Sequence, residues 1–210
     1  MAIVHTSPAI GARFTQYTAE LESGGRLGPT SAQRFVYVLN GTITVTISGG
    51  QQILENDGFA YLPQGSNHSI EVNGESRIEV FEKPFIGAED QSAPGAVFGN
   101  EKEVAPQPLM GDVDLQVRSL LPDSMPYDFA VNTMEYKPGA ALGMVEMHVM
   151  EHGLLMLSGG GIYRLADSWY PVTAGDFIWM APYCPQWFGA LGKQPAKYLI
   201  YKDWNRNPLD

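Results

Sequence analysis

The stretch EMHVMEH places Glu146, His148, Glu151 and His152 within seven residues. Imidazole nitrogens and carboxylate oxygens at this density form a donor set for a divalent cation. If the stretch is extended, alternate side chains share a face, and Glu146, His148, Met150 and His152 project together. If it is helical, His148-x-x-Glu151-His152 matches a zinc-peptidase pattern with Glu151 as base. Gly143 and Gly153 bracket the stretch and β-branched and aromatic residues follow it, which favours the extended form. A fourth donor comes from APYCPQWF, where the amide oxygen of Gln186 follows a proline-bounded turn. Two imidazoles, a carboxylate and an amide make a nitrogen and oxygen set without thiolate, suited to Mn, Fe or Zn. Cys184, two residues before Gln186, reads as a small buried apolar side chain.

One more stretch bears on the site, KYLIYKDWNRNPLD. On a strand, Tyr198, Ile200 and Lys202 share a face. A lysine alternating into an apolar face is costly unless it meets charge or substrate, although one at a strand end can also reach water. Tyr163, in GGGIYRL, reads either as core or as part of the same site.

These residues need a scaffold, and its texture is all-β. The 23 glycines and 15 prolines punctuate short runs rich in Val, Ile, Tyr, Phe and Thr, and no long window has helical periodicity. FVYVLNGTITVTISGG (35–50) predicts a hairpin about Asn40-Gly41, and GLLMLSGGGIYRLADSWYPV (153–172) predicts the same device again. The second occurrence reveals an internal repeat. FTQYTAELESGGRLG (14–28) aligns with FAVNTMEYKPGAALG (129–143), RFVYVLNG (34–41) with HGLLMLSG (152–159), and DGFAYLPQGSNHSI (57–70) with GDFIWMAPYCPQWF (175–188). The copies differ where the chemistry lies. Five residues separate Gly28 from Arg34, eight separate Gly143 from His152, and Arg34 stands where the second copy has His152. His68, near the position of Gln186, reads as structural. The expected organisation is an N-terminal barrel without a metal site (1–83), a Pro- and Gly-rich linker (84–126) and a C-terminal metal-binding barrel (127–210).

Composition narrows the partners. With 44% apolar residues the chain can build a core, while 13 basic against 23 acidic side chains give a net charge of -10. That charge repels nucleic acid and anionic membranes, so neither is an expected partner. One cysteine excludes an internal disulfide, and the start, MAIVHTSPAIG, carries no signal-peptide pattern. A cytoplasmic setting is expected.

The spacing Gly139-x6-Glu146-x-His148-x3-His152-x6-Gly159, followed by Gly175-Asp176-x5-Pro182-x3-Gln186 in a two-fold repeat, resembles a bicupin. The usual cupin motif runs His-x-His, then Glu, then His. The Glu-x-His-x3-His variant with Gln, together with YLIYKDWNRNPL, is similar to the (S)-ureidoglycine aminohydrolase family over nearly the whole chain. That resemblance implies two tandem double-stranded β-helix barrels in a homo-oligomer, and a manganese enzyme of purine and allantoin catabolism. Its reaction takes (S)-ureidoglycine to (S)-ureidoglycolate and ammonia. It further implies that Glu146, His148, His152 and Gln186 hold Mn²⁺ and that Tyr163, Tyr198 and Lys202 line the substrate pocket; burial near a cation would lower the Lys202 pKa, which makes Lys202 the candidate catalytic acid/base group. Other metal-dependent cupin chemistry on a small acid, or small-molecule binding without turnover, shares the scaffold. Members of the family carry several dozen further N-terminal residues.

Overall fold

The computed structural model describes residues 1–206, which divide into two compact units, Met1–Val104 and Ala105 onward. The first contains β1 (Ala2–Thr6), β2 (Thr15–Leu21), β3 (Arg26–Leu27), β4 (Gln33–Asn40), β5 (Ile43–Ile47), β6 (Gly50–Leu54), β7 (Gly58–Leu62), β8 (His68–Val72), β9 (Ser76–Lys83) and β10 (Val97–Asn100). The second contains β11 (Gln107–Leu109), β12 (Asp112–Ser119), β13 (Phe129–Tyr136), β14 (His152–Ser158), β15 (Gly160–Leu165), β16 (Ser168–Thr173), β17 (Phe177–Met180), β18 (Gln186–Ala190) and β19 (Ala196–Asp203). The helical elements among the described residues are the short 3₁₀ turns Pro8–Ile10 and Glu101–Glu103.

Each unit is two antiparallel sheets over one apolar core. The first pairs a six-stranded sheet, β1-β2-β9-β4-β7-β10, with a four-stranded one, β3-β8-β5-β6. Alternation supplies the core: Val36, Val38, Ile78 and Val80 from the large sheet meet Ile43, Val45, Ile70 and Val72 from the small one. The second unit repeats the plan with β11-β12-β13-β19-β14-β17 and β16-β15-β18. There Leu154, Met156, Tyr198 and Ile200 meet Tyr163, Phe188 and Ala190.

Two expectations change. β4 pairs with β7 and β9, and β5 with β6 and β8, so Asn40-Gly41 is a corner between sheets and not a hairpin turn. The corner needs glycine for two reasons. Its φ is +92°, and a Cβ there would stand 2.6 Å from the carbonyl oxygen of Glu75. Gly159 makes the equivalent corner between β14 and β15, with φ +66° and a would-be Cβ 2.4 Å from the Pro195 carbonyl oxygen. The repeated device is real, but positive φ serves a sheet crossing as well as a hairpin. The hairpin of the first unit is β5–β6, turning on Ser48 and Gly49 at φ 50° and 79°. The second difference lies in 84–126, read as a linker. It carries β10, which pairs with β7 of the first unit, and β11 and β12, which extend the large sheet of the second. The unit boundary falls within it, after Val104.

Candidate active site

The second unit holds a cavity of about 340 Å³ between its sheets, lined by Glu146, His148, His152, Tyr163, Gln186, Tyr198 and Lys202 together with Asn132, Met134, Met150, Ile200 and Trp204. All seven residues singled out in the sequence therefore reach one space. Strand alternation aims Tyr198, Ile200 and Lys202 of β19 at it, as their spacing predicts. His152 opens β14 directly opposite Lys202 in the antiparallel register.

The stretch before His152 is neither strand nor helix. Residues 142–151 run irregularly between β13 and β14, tied by an isolated bridge in which Glu146 and Gln186 exchange backbone N–H···O bonds of 2.8 Å each. The Tyr183 N–H also donates to the His148 carbonyl at 2.7 Å. Two segments some forty residues apart in sequence are thereby fixed side by side, which brings the Glu146 and Gln186 side chains together. The peptidase pattern fails here because no helix forms, and Glu151 turns from the cavity to accept the Trp179 indole N–H at 2.9 Å.

Electrostatics follow from burial. His152 is 4% exposed, and burial with neighbouring His148 pushes its pKa down to about 3. It is a neutral imidazole at ordinary pH, the form that binds metal, and its Nδ1 has no hydrogen-bond partner. His148 Nε2 lies 3.2 Å from Glu146 Oε2, and the two imidazole rings stack at 4.9 Å between centroids. Burial raises Tyr163 and Tyr198 well above the usual phenol range, so both remain protonated. Tyr163 donates to Gln186 Oε1 at 2.9 Å, and Tyr198 shares a 2.7 Å bond with Tyr136. Lys202 is lowered by burial. Its ammonium makes no hydrogen bond or ion pair to another described residue, and its Nζ lies 4.2 Å from the centroid of the Trp204 ring.

The fit of this set to a divalent metal is chemical before it is geometric. Two imidazoles, a carboxylate and an amide oxygen border one cavity, and the orphaned His152 Nδ1 marks a buried polar group short of a partner. As the side chains stand, however, no three carboxylate or imidazole groups among the described residues converge on one point. The parallel stack of His148 on His152 accounts for that, because stacked rings do not aim their lone pairs together.

The first unit shows the same positions closed. Arg34 lies opposite Glu82 in the register that puts His152 opposite Lys202. The guanidinium pairs with Glu82 at 2.6 and 2.8 Å, donates to the Gly28 carbonyl at 2.7 Å, and meets His68 Nε2 at 3.1 Å. Tyr17 adds a 3.2 Å bond to Glu82. A built-in cation thus occupies the row that carries the site in the second unit. Missed in the sequence were Asn132, whose buried Oδ1 lacks a partner, and Trp204 with its own support, Asp123. Asn132 could have been found as the cavity-facing neighbour of Thr133 on an alternating strand. Nothing local pointed to Asp123.

The chain is similar to known proteins over nearly its whole length. The family model described as Cupin domain matches residues 132–201. The chain is 43% identical to (S)-ureidoglycine aminohydrolase of Arabidopsis thaliana, over 97% of this chain and 68% of that protein. It is 33% identical to (S)-ureidoglycine aminohydrolase of Escherichia coli strain K12, over 98% of this chain and 81% of that one. The chain spans about two thirds of the length of the plant relatives, 66% of the rice protein and 68% of the Arabidopsis one. The crystal structure of protein Ylba from E. coli superposes with a TM-score of 0.86 at 30% identity, covering 98% of this chain and 83% of the other. An all-β chain with the cupin fold, its site residues gathered in one cavity, belongs to the (S)-ureidoglycine aminohydrolase family.

Proposed function

We propose that the chain is a Mn²⁺-dependent (S)-ureidoglycine aminohydrolase, releasing ammonia and leaving (S)-ureidoglycolate. The observation that carries the reading is the gathering of Glu146, His148, His152, Gln186 and Lys202, whose ammonium has no ion-pair partner among the described residues, about one cavity, while the equivalent row of the first unit is neutralised by Arg34 and Glu82. The family relationship supplies the substrate class. The two units are tandem cupin barrels, of which only the second is catalytic. A cytoplasmic homo-oligomer completes the reading.

Glu146, His148, His152 and Gln186 are the residues that would hold Mn²⁺. When bound, such an ion polarises and orients the small anionic substrate. The protein's own groups do the rest. Tyr163 keeps the Gln186 oxygen aimed by donating to it. The apolar wall of Met134, Met150 and Ile200 limits water, which strengthens polar contacts inside. Lys202 is the acid/base group: burial brings its ammonium closer to neutrality, so it can hand a proton to the departing amine and recover one from the attacking water. Tyr198 and Tyr163 remain protonated and fix the walls about the substrate.

The test pairs Lys202→Ala with Glu146→Ala in a coupled ammonia assay. General acid–base loss predicts a fall in kcat of about 10²-fold or more for Lys202→Ala, with Mn²⁺ still bound. Glu146→Ala loses Mn²⁺ and turnover together. Full kcat in Lys202→Ala removes it as the proton carrier.

A further inference from the structure

The lysine proposed to move protons is held in an unusual way. In the first unit the residue at its position, Glu82, is tethered by three contacts from Arg34 and Tyr17. Among the described residues Lys202 has no such tether, yet four flexible bonds must be kept in one arrangement for its Nζ to meet a substrate. What it has is the face of Trp204, 4.2 Å from Nζ to the ring centroid. A cation over an aromatic face is attracted by the ring quadrupole without using any N–H donor. All three donors of Lys202 are thereby left for substrate. An ion pair would hold the lysine as firmly but would consume donors; the carboxylates of Asp123 and Glu146 act on Lys202 without taking a hydrogen bond from it.

Trp204 is itself anchored. Its indole N–H donates to Asp123 Oδ1 at 2.6 Å, across 81 residues of sequence. The next two residues are tied to the same loop: Asn205 Nδ2 donates to the Ser124 carbonyl at 2.8 Å, and Arg206 Nη1 donates to the Met125 carbonyl at 2.9 Å. The Trp204 backbone N–H closes the clamp by donating to the Asp128 carbonyl at 3.1 Å. Asp123, Lys202 and Trp204 also share a small recess of about 50 Å³ beside the main cavity.

We infer that Trp204 is a positioning residue for Lys202, held in place by Asp123, and that it fixes the ammonium while leaving its hydrogen-bond donors free for the substrate. This rests on the reading of the chain as a ureidoglycine aminohydrolase and adds to it two residues outside the metal and substrate sets.

The experiment uses the Mn²⁺-loaded full chain and measures kcat and KM for freshly generated (S)-ureidoglycine in Trp204→Leu, Trp204→Phe, Asp123→Ala and Asp123→Asn, with bound Mn²⁺ and Tm recorded for each. A cation–π contact of this size corresponds to a fall in kcat of about tenfold in Trp204→Leu, with a smaller fall in Trp204→Phe, which keeps an aromatic face but loses the N–H that Asp123 holds. Asp123→Ala lowers kcat in the same direction, and Asp123→Asn, which keeps the acceptor, restores it. Asp123 is exposed, so its variants read the effect even if Trp204→Leu does not fold. Unchanged kcat in Asp123→Ala or Trp204→Leu overturns the inference, as does a Trp204→Phe as slow as Trp204→Leu. Those outcomes leave the proposed activity standing, because the wild-type protein turns over in the same assay. A wild type that releases no ammonia removes the activity and this role with it.

Discussion

Removing the Tyr163 hydroxyl is the smallest change that bears on the metal site without touching a proposed ligand. Tyr163 is 1% exposed, and its O–H donates to Gln186 Oε1 at 2.9 Å, while Gln186 is itself 4% exposed. In Tyr163→Phe that buried oxygen loses its donor. A buried acceptor stripped of its partner costs about 1–3 kcal/mol. At roughly 2–4 °C per kcal/mol for a chain of this size, Tm of the metal-free protein falls by about 2–12 °C. Losing the group that orients a ligand lowers metal affinity by about 10–100-fold. Mn²⁺ titration followed by EPR measures the second effect, and thermal unfolding with and without Mn²⁺ measures the first. Because binding to the folded state adds stability, saturating Mn²⁺ should recover part of the lost Tm. Equal Mn²⁺ affinity in wild type and Tyr163→Phe would refute the reasoning, since Gln186 would then not be a ligand that Tyr163 supports.

Further consequences follow from the corners and from the closed first unit. Gly159→Ala combines a positive φ with a 2.4 Å approach to the Pro195 oxygen, and should cost about 2–4 kcal/mol in urea unfolding. Gly175→Ala, with φ +93° and open space around it, should cost only about 1 kcal/mol. His68 is held below its ordinary pKa, first by burial and then by Arg34. Its neutral form favours the fold, so stability should fall as pH drops below the unfolded-state value of about 6.5, and that slope should flatten in His68→Gln, followed by Tm from pH 7 to 5. Mn²⁺ should bind once per chain. Arg34→Met should lower Tm modestly, by leaving the partly buried Glu82 without its cation, and should not create a second Mn²⁺ site.

Much of the site was legible because its signals are local. Alternation alone put Tyr198, Ile200 and Lys202 on one face, and the three-residue insertion before His152 marked the copy that differs. Gln186 was legible because a proline-bounded turn aims it at the same end. The contacts that decide geometry were less accessible. Whether residues 142–151 form a strand depends on a bridge to Gln186 far along the chain, and Trp204 finds Asp123 across 81 residues. Asn40-Gly41 misleads for a different reason, since the positive φ that suits a hairpin equally suits a crossing between sheets. Pro and Gly content likewise made 84–126 read as a linker, although β10, β11 and β12 each gain their place by pairing with a strand that local composition does not reveal.

The account stands on one measurement above the others: ammonia release from freshly generated (S)-ureidoglycine by metal-stripped protein, before and after Mn²⁺ is returned. The account predicts no release above the spontaneous rate without metal and full turnover once Mn²⁺ is bound. Protein that binds Mn²⁺ and still leaves the substrate to decay at its spontaneous rate would contradict it.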